Sequence, residues 1–181
     1  MNRPSAFHRL AAWCAYLAPP LLMLSDGALV MFISTPGLNL QRIALSLFVP
    51  ALIGVALLGR SRGRWVVTAG AILAAIGAGA IVLFPWTLII ALRFPAALFP
   101  LGLLIAAAGM IGFFPPRIAP LLAIGALMFP IGHISGFAAA LIVSDITLLV
   151  AFWMLAELLN PRTQIPKSAS RPGTFKPQVG S

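Results

Sequence analysis

The 181-residue chain is 61% hydrophobic and only 8% charged, against roughly 45–50% apolar and about 25% charged residues in a soluble domain. Twelve basic and three acidic residues cannot furnish a water-facing surface, so a soluble globule is excluded, and hydrophobicity this high excludes a disordered chain. What remains is an all-α polytopic membrane bundle, because hydrocarbon admits only segments that satisfy their own backbone.

The first apolar run, Leu10 to Phe32, follows Arg3 and Arg9 and contains Pro19, Pro20 and Asp26. Positive residues before an apolar stretch also open a secretory leader, with Ser25 and Gly27 at cleavage-type positions. The paired prolines and the charge balance favour a retained span. Ser34 to Asn39 reads as a turn cluster, and the second span runs from Leu40 to Leu58. Arg60, Arg62 and Arg64 then fall within six residues, a density of charge that lipid does not accept. Trp65 to Phe84 forms the third span. The section from Pro85 to Pro95, with Trp86 and Arg93, reads either as a loop or as a segment lying at the interface. Ala96 to Phe114 is the fourth span, stopped by Pro115, Pro116 and Arg117. A short fifth run covers Ile118 to Gly132, and the sixth, Phe137 to Leu159, carries Asp145 and Glu157. A span needs about 20 apolar residues to cross roughly 30 Å of hydrocarbon, and the six runs meet or approach that length. Phe-Pro recurs at 84–85, 94–95, 99–100, 114–115 and 129–130, a habit expected at span boundaries.

Residues 1–159 are thus expected to form a six-helix transmembrane domain. Residues 160–181, rich in proline and basic residues and free of acids, are expected to be a disordered cytoplasmic tail. With six spans, one side collects Arg3, Arg9, Arg60, Arg62, Arg64, Arg117, Arg162, Lys167, Arg171 and Lys176, and the other only Arg42 and Arg93. The positive-inside rule then puts both termini in the cytoplasm, in the inner membrane if the source is bacterial. The same basic residues face lipid headgroups, and the tail is suited to anionic lipid. A nucleic-acid partner is not expected, since no basic face on a water-exposed domain is available.

Small residues on the spans, including Ala74 with Ala78, Gly77, Gly79, Ala108 with Gly112, and Gly132 with Gly136, suit close helix approach. They pack within the chain, or against a second copy or a larger membrane partner. Cys14 is the single cysteine, which excludes an intrachain disulfide and a cysteine-based zinc cluster.

Ionisable groups inside the bilayer cost roughly 2.5–3.5 kcal/mol each on insertion scales and default to functional candidates. Helical rise places Asp145 about 14 Å into the sixth span, near the midplane, and Asp26 in the outer half of the first. His133 falls at the outer end of the fifth run and Arg93 in the outer connection. Two readings stay open for this candidate polar site of Asp26, Asp145, His133 and Arg93. The acids either hydrogen-bond neighbouring helices as packing elements, or line a cavity and exchange protons or bind a cation. Catalytic signatures such as HExxH, a phosphate loop, GxSxG or CxxC are missing, so no catalytic residue, metal or cofactor is expected, and an intramembrane enzyme ranks last.

In organisation the whole chain resembles the many small uncharacterised bacterial membrane proteins with five or six helices, brief loops and a basic tail. That likeness rests on architecture and implies no residue roles. The expected function is that of a small, non-enzymatic integral membrane protein acting through helix packing or a partner. The alternative is a minimal transporter or proton-coupled carrier using Asp26 and Asp145.

Overall fold

A computed structural model describes residues 6–31, 34–83 and 93–160, apart from the side chains of residues 34, 35 and 93–96. They form six helices: α1 (Ala6–Val30), α2 (Ser34–Ser61), α3 (Trp65–Leu83), α4 (Arg93–Met110), α5 (Ile118–Ser135) and α6 (Ala138–Leu159). Five are long and apolar enough to cross a membrane; in α4 the apolar helix Ala97–Met110 is shorter. The chain is an integral membrane protein. The tail beyond residue 160, with Arg162, Lys167, Arg171 and Lys176, lies outside the described residues, as do Arg3 and most of the section from Pro85 to Pro95.

Each helix packs on its neighbours in the chain, and α6 packs on α1, so the helices close into a ring in sequence order. Neighbours run antiparallel. Thr68 Oγ1 of α3 donates to the Ala56 carbonyl of α2, Gly125 of α5 meets Leu148 of α6 while Gly132 meets Leu141, and Tyr16 of α1 donates to Glu157 of α6. The Tyr16–Glu157 hydrogen bond therefore helps to close the ring. At the ring's centre Phe48 of α2, Phe99 of α4, Phe129 of α5 and Phe152 of α6 pack edge to face, with centroids 4.8–5.6 Å apart. That geometry aims positive ring edges at negative ring faces. Around the outside, Trp13, Leu17, Leu24, Ile72, Ile76, Ile131 and Ile146 are exposed, the apolar belt that lipid requires.

The structure moves several boundaries read from sequence. Ser34 to Asn39 is the first part of α2 and not a turn, so α2 starts six residues before Leu40. Pro36 is tolerated there because the first turn of a helix leaves its amides without intrahelical partners. Phe99-Pro100 and Phe129-Pro130 lie inside α4 and α5, and both phenylalanines are core residues, so Phe-Pro is not a boundary mark at those positions. Pro19 and Pro20 likewise sit within a continuous α1; neighbouring helices compensate for the lost amide in a packed bundle.

Helix approach is closest between α3 and α4. A Cβ on Gly77 would stand 2.1 Å from the Phe99 amide nitrogen, and one on Gly102 would stand 2.2 Å from that of Ala74. Gly79, expected to share this role, has open space instead, and Gly112 and Gly136 serve as positive-φ turn residues. Gly136, at φ 69°, ends α5 by donating its amide to the Gly132 carbonyl. Gly77→Leu is therefore expected to separate α3 from α4 and lower thermal stability in detergent by about 1–3 kcal/mol or more, as overpacking does. Gly79→Ala should be neutral or stabilising by up to about 1 kcal/mol, through helix propensity alone. Circular-dichroism melts of the two variants check this, and equal losses would contradict the assigned contact.

Candidate functional site

The ring closure brings together side chains that lie far apart in sequence. Asp26 stands four residues before the end of α1, Gln41 seven residues into α2, His133 two residues before the end of α5, and Asp145 seven residues into α6. In antiparallel neighbours these positions fall near one end of the bundle, about 3–10 Å inside the helix ends at 1.5 Å per residue. That end is opposite to the one carrying Arg9, Arg60, Arg62, Arg64 and Arg117. Asp145 accordingly lies in the first third of α6.

Asp26 and Asp145 are almost completely buried, at 3% and 4% exposure, and neighbour one another across the α1–α6 contact. Two carboxylates are both acceptors, so that proximity satisfies neither without a proton between them. Both oxygens of Asp26 and Oδ1 of Asp145 lack a hydrogen-bond partner among the described residues.

His133 completes the cluster. Its Nδ1 lies 3.0 Å from the Phe129 carbonyl oxygen, an acceptor, which assigns the ring proton to Nδ1. Nε2 then carries a lone pair and accepts from Gln41 Nε2 at 3.3 Å. The same Nε2 lies 3.5 Å from Asp26 Oδ1. Lone pair faces carboxylate, an arrangement that a proton on Nε2 turns from mismatch into an ion pair. The ring is held by the tilted Phe129 face, 4.2 Å between centroids, which links the cluster to the aromatic centre.

Other buried polar side chains near the cluster are matched. Ser25 Oγ donates to the Gly37 carbonyl at 2.9 Å, and Ser144 Oγ donates to the Gly125 carbonyl at 3.1 Å. The mismatch is thus specific to the acids. Among the described residues no group of three or more His, Cys, Asp or Glu side chains is arranged to hold a metal ion.

Of the residues singled out from sequence, Asp26, Asp145 and His133 meet. Arg93 opens α4, and its side chain lies outside the described residues. Arg60, Arg62, Arg64 and Arg117 gather at the opposite end, where Arg62 lies over the Phe114 ring at 4.8 Å and Arg64 over that of Phe113. Gln41 was missed. Its signal was weak, because a second span starting at Leu40 makes an amide at the next position an ordinary boundary residue.

Since the Asp145 carboxylate makes no hydrogen bond through Oδ1, Asp145→Asn should not destabilise the bundle. An amide offers Asp26 a donor and is expected to raise stability by up to about 1–2 kcal/mol, whereas Ser144→Ala should cost about 1 kcal/mol. Thermal melts in detergent read both, and a loss in Asp145→Asn would reveal a partner that the geometry does not contain. Compared with known proteins, the chain matches no family model, and no curated protein or solved structure is significantly similar to it.

Proposed function

We propose that this protein is a proton-exchanging membrane carrier whose working group is Asp26, Asp145 and His133, assisted by Gln41. The observation that carries the reading is that both oxygens of Asp26 and Oδ1 of Asp145 are buried without a donor. Leaving a buried polar group unmatched costs about 1–3 kcal/mol, and ionisable groups inside a bilayer are retained where they serve a proton or ion path. Acids kept for helix packing would find donors, as Ser25, Thr68 and Ser144 find acceptors. The packing reading therefore has less support than the carrier reading.

In this account one proton moves among Asp26, Asp145 and His133 Nε2. On Nε2 it pairs the imidazolium with Asp26, and between the carboxylates it joins α1 to α6. Loss of the proton leaves like charges facing each other across the α1–α6 contact, which favours a looser arrangement of that seam. Arg93, which opens α4 at the same end, is proposed as a modulator of the cluster's charge.

The proposed orientation places the end with Arg9, Arg60, Arg62, Arg64 and Arg117 in the cytoplasm, together with both termini, because positive residues are retained on that side. In a bacterial cell this is the inner membrane, and the cluster then lies toward the outer face. Residues 160–181 act in this proposal as a separate basic tail on anionic lipid.

Proton counting tests the function. Purified protein in lipid nanodiscs, in weak buffer with an indicator dye, should take up one more proton per chain on acidification than Asp26→Asn/Asp145→Asn. An equal count in the two proteins would contradict the proposal.

A further inference from the structure

We infer that the cavity between α4 and α5 binds a lipophilic organic cation, a protonated or quaternary amine with an aromatic or branched alkyl body, in exchange for the proton of the acid cluster. The inference rests on the proton-exchange reading and names the substrate class for that site. The cavity measures about 370 Å³, within the usual size range of small-molecule sites. Pro100, Leu101 and Leu104 of α4 and Phe129 and Pro130 of α5 give it apolar walls, and His133 supplies a polar edge. Leu101 is 48% exposed, so the cavity is open at the surface of the bundle, which lipid would cover in a membrane and from which a lipophilic molecule would enter.

Charge complementarity selects a cation over a neutral occupant. The His133 ring lines the cavity while its Nε2 stands 3.5 Å from Asp26 Oδ1, and Asp26 in turn neighbours Asp145. The ionisable groups around this point are Asp26 from α1, His133 from α5 and Asp145 from α6, with Gln41 from α2. The α3 sequence contains no ionisable residue, and α4 contains only Arg93. A neutral molecule leaves the carboxylates as they are. A cation supplies the single positive charge that a proton otherwise supplies. Occupancy by cation and by proton are then alternatives: the cation enters, and one proton leaves to water.

The probes are benzyltrimethylammonium and its uncharged carbon isostere neopentylbenzene, which share shape and differ in charge. They are titrated calorimetrically into the full chain in phosphatidylcholine nanodiscs, in two buffers of different protonation enthalpy. The cation should bind about tenfold or more tightly than the isostere and release one proton per chain. Leu101→Trp, which fills the cavity mouth, should abolish binding, and Asp26→Asn/Asp145→Asn should remove both the proton release and the preference for charge. Equal affinity for the two probes, or cation binding undiminished in Leu101→Trp, overturns the inference. If either occurs while the Asp-dependent proton count persists, the ligand class falls and the proton site stands. If that count is missing as well, both readings fall.

Discussion

Everything in this molecule depends on the demand that hydrocarbon makes of polar atoms: each must find its partner within the protein. The backbone meets it by forming helices, and the hydroxyls of Ser25, Thr68 and Ser144 meet it by donating to carbonyls of the adjacent helix. Among the described residues, Asp26 and Asp145 hold the buried side-chain oxygens that do not. A constraint obeyed at the serines and threonine and broken at two neighbouring acids makes those acids the functional candidates.

The ring explains how the acids meet. Small residues let α3 and α4 approach until backbones touch, four phenylalanines fill the middle, and the Tyr16–Glu157 hydrogen bond helps draw α6 onto α1. With that closure, Asp26 and Asp145 fall near one end of the bundle, and His133 is held there by its bond to Phe129. Packing and chemistry share one residue, since the Phe129 ring contacts both Phe99 and His133.

Much of this architecture is legible in the sequence, because length and hydropathy alone decide what spans a membrane. The runs from Trp65 and to Leu159 match α3 and α6 to within a residue, and the arginine-rich turn at 60–64 falls where charge forces it. The failures have physical causes. Ser34 to Asn39 has turn chemistry, yet proline and glycine are acceptable in the first turns of a helix that packs against Leu29. Phe-Pro was read as punctuation, whereas a packed bundle tolerates proline inside α4 and α5. Asp26, Asp145 and His133 could be named from their cost in lipid, but not their convergence, since hydropathy says nothing about which helices are neighbours. Gln41 escaped notice for the related reason that its depth depended on where α2 begins.

The most direct test of the central claim is the protonation of the His133 ring, read by nitrogen-15 solid-state NMR of the full chain in lipid bilayers. His8 is the one other histidine, so assignment is simple. The account predicts a neutral ring with its proton on Nδ1 and a lone pair on Nε2 at alkaline pH. On acidification Nε2 should gain a proton in the same step that shifts the carboxyl carbon of Asp26. A ring that carries its proton on Nε2 throughout, with the Asp26 signal unmoved, would contradict it.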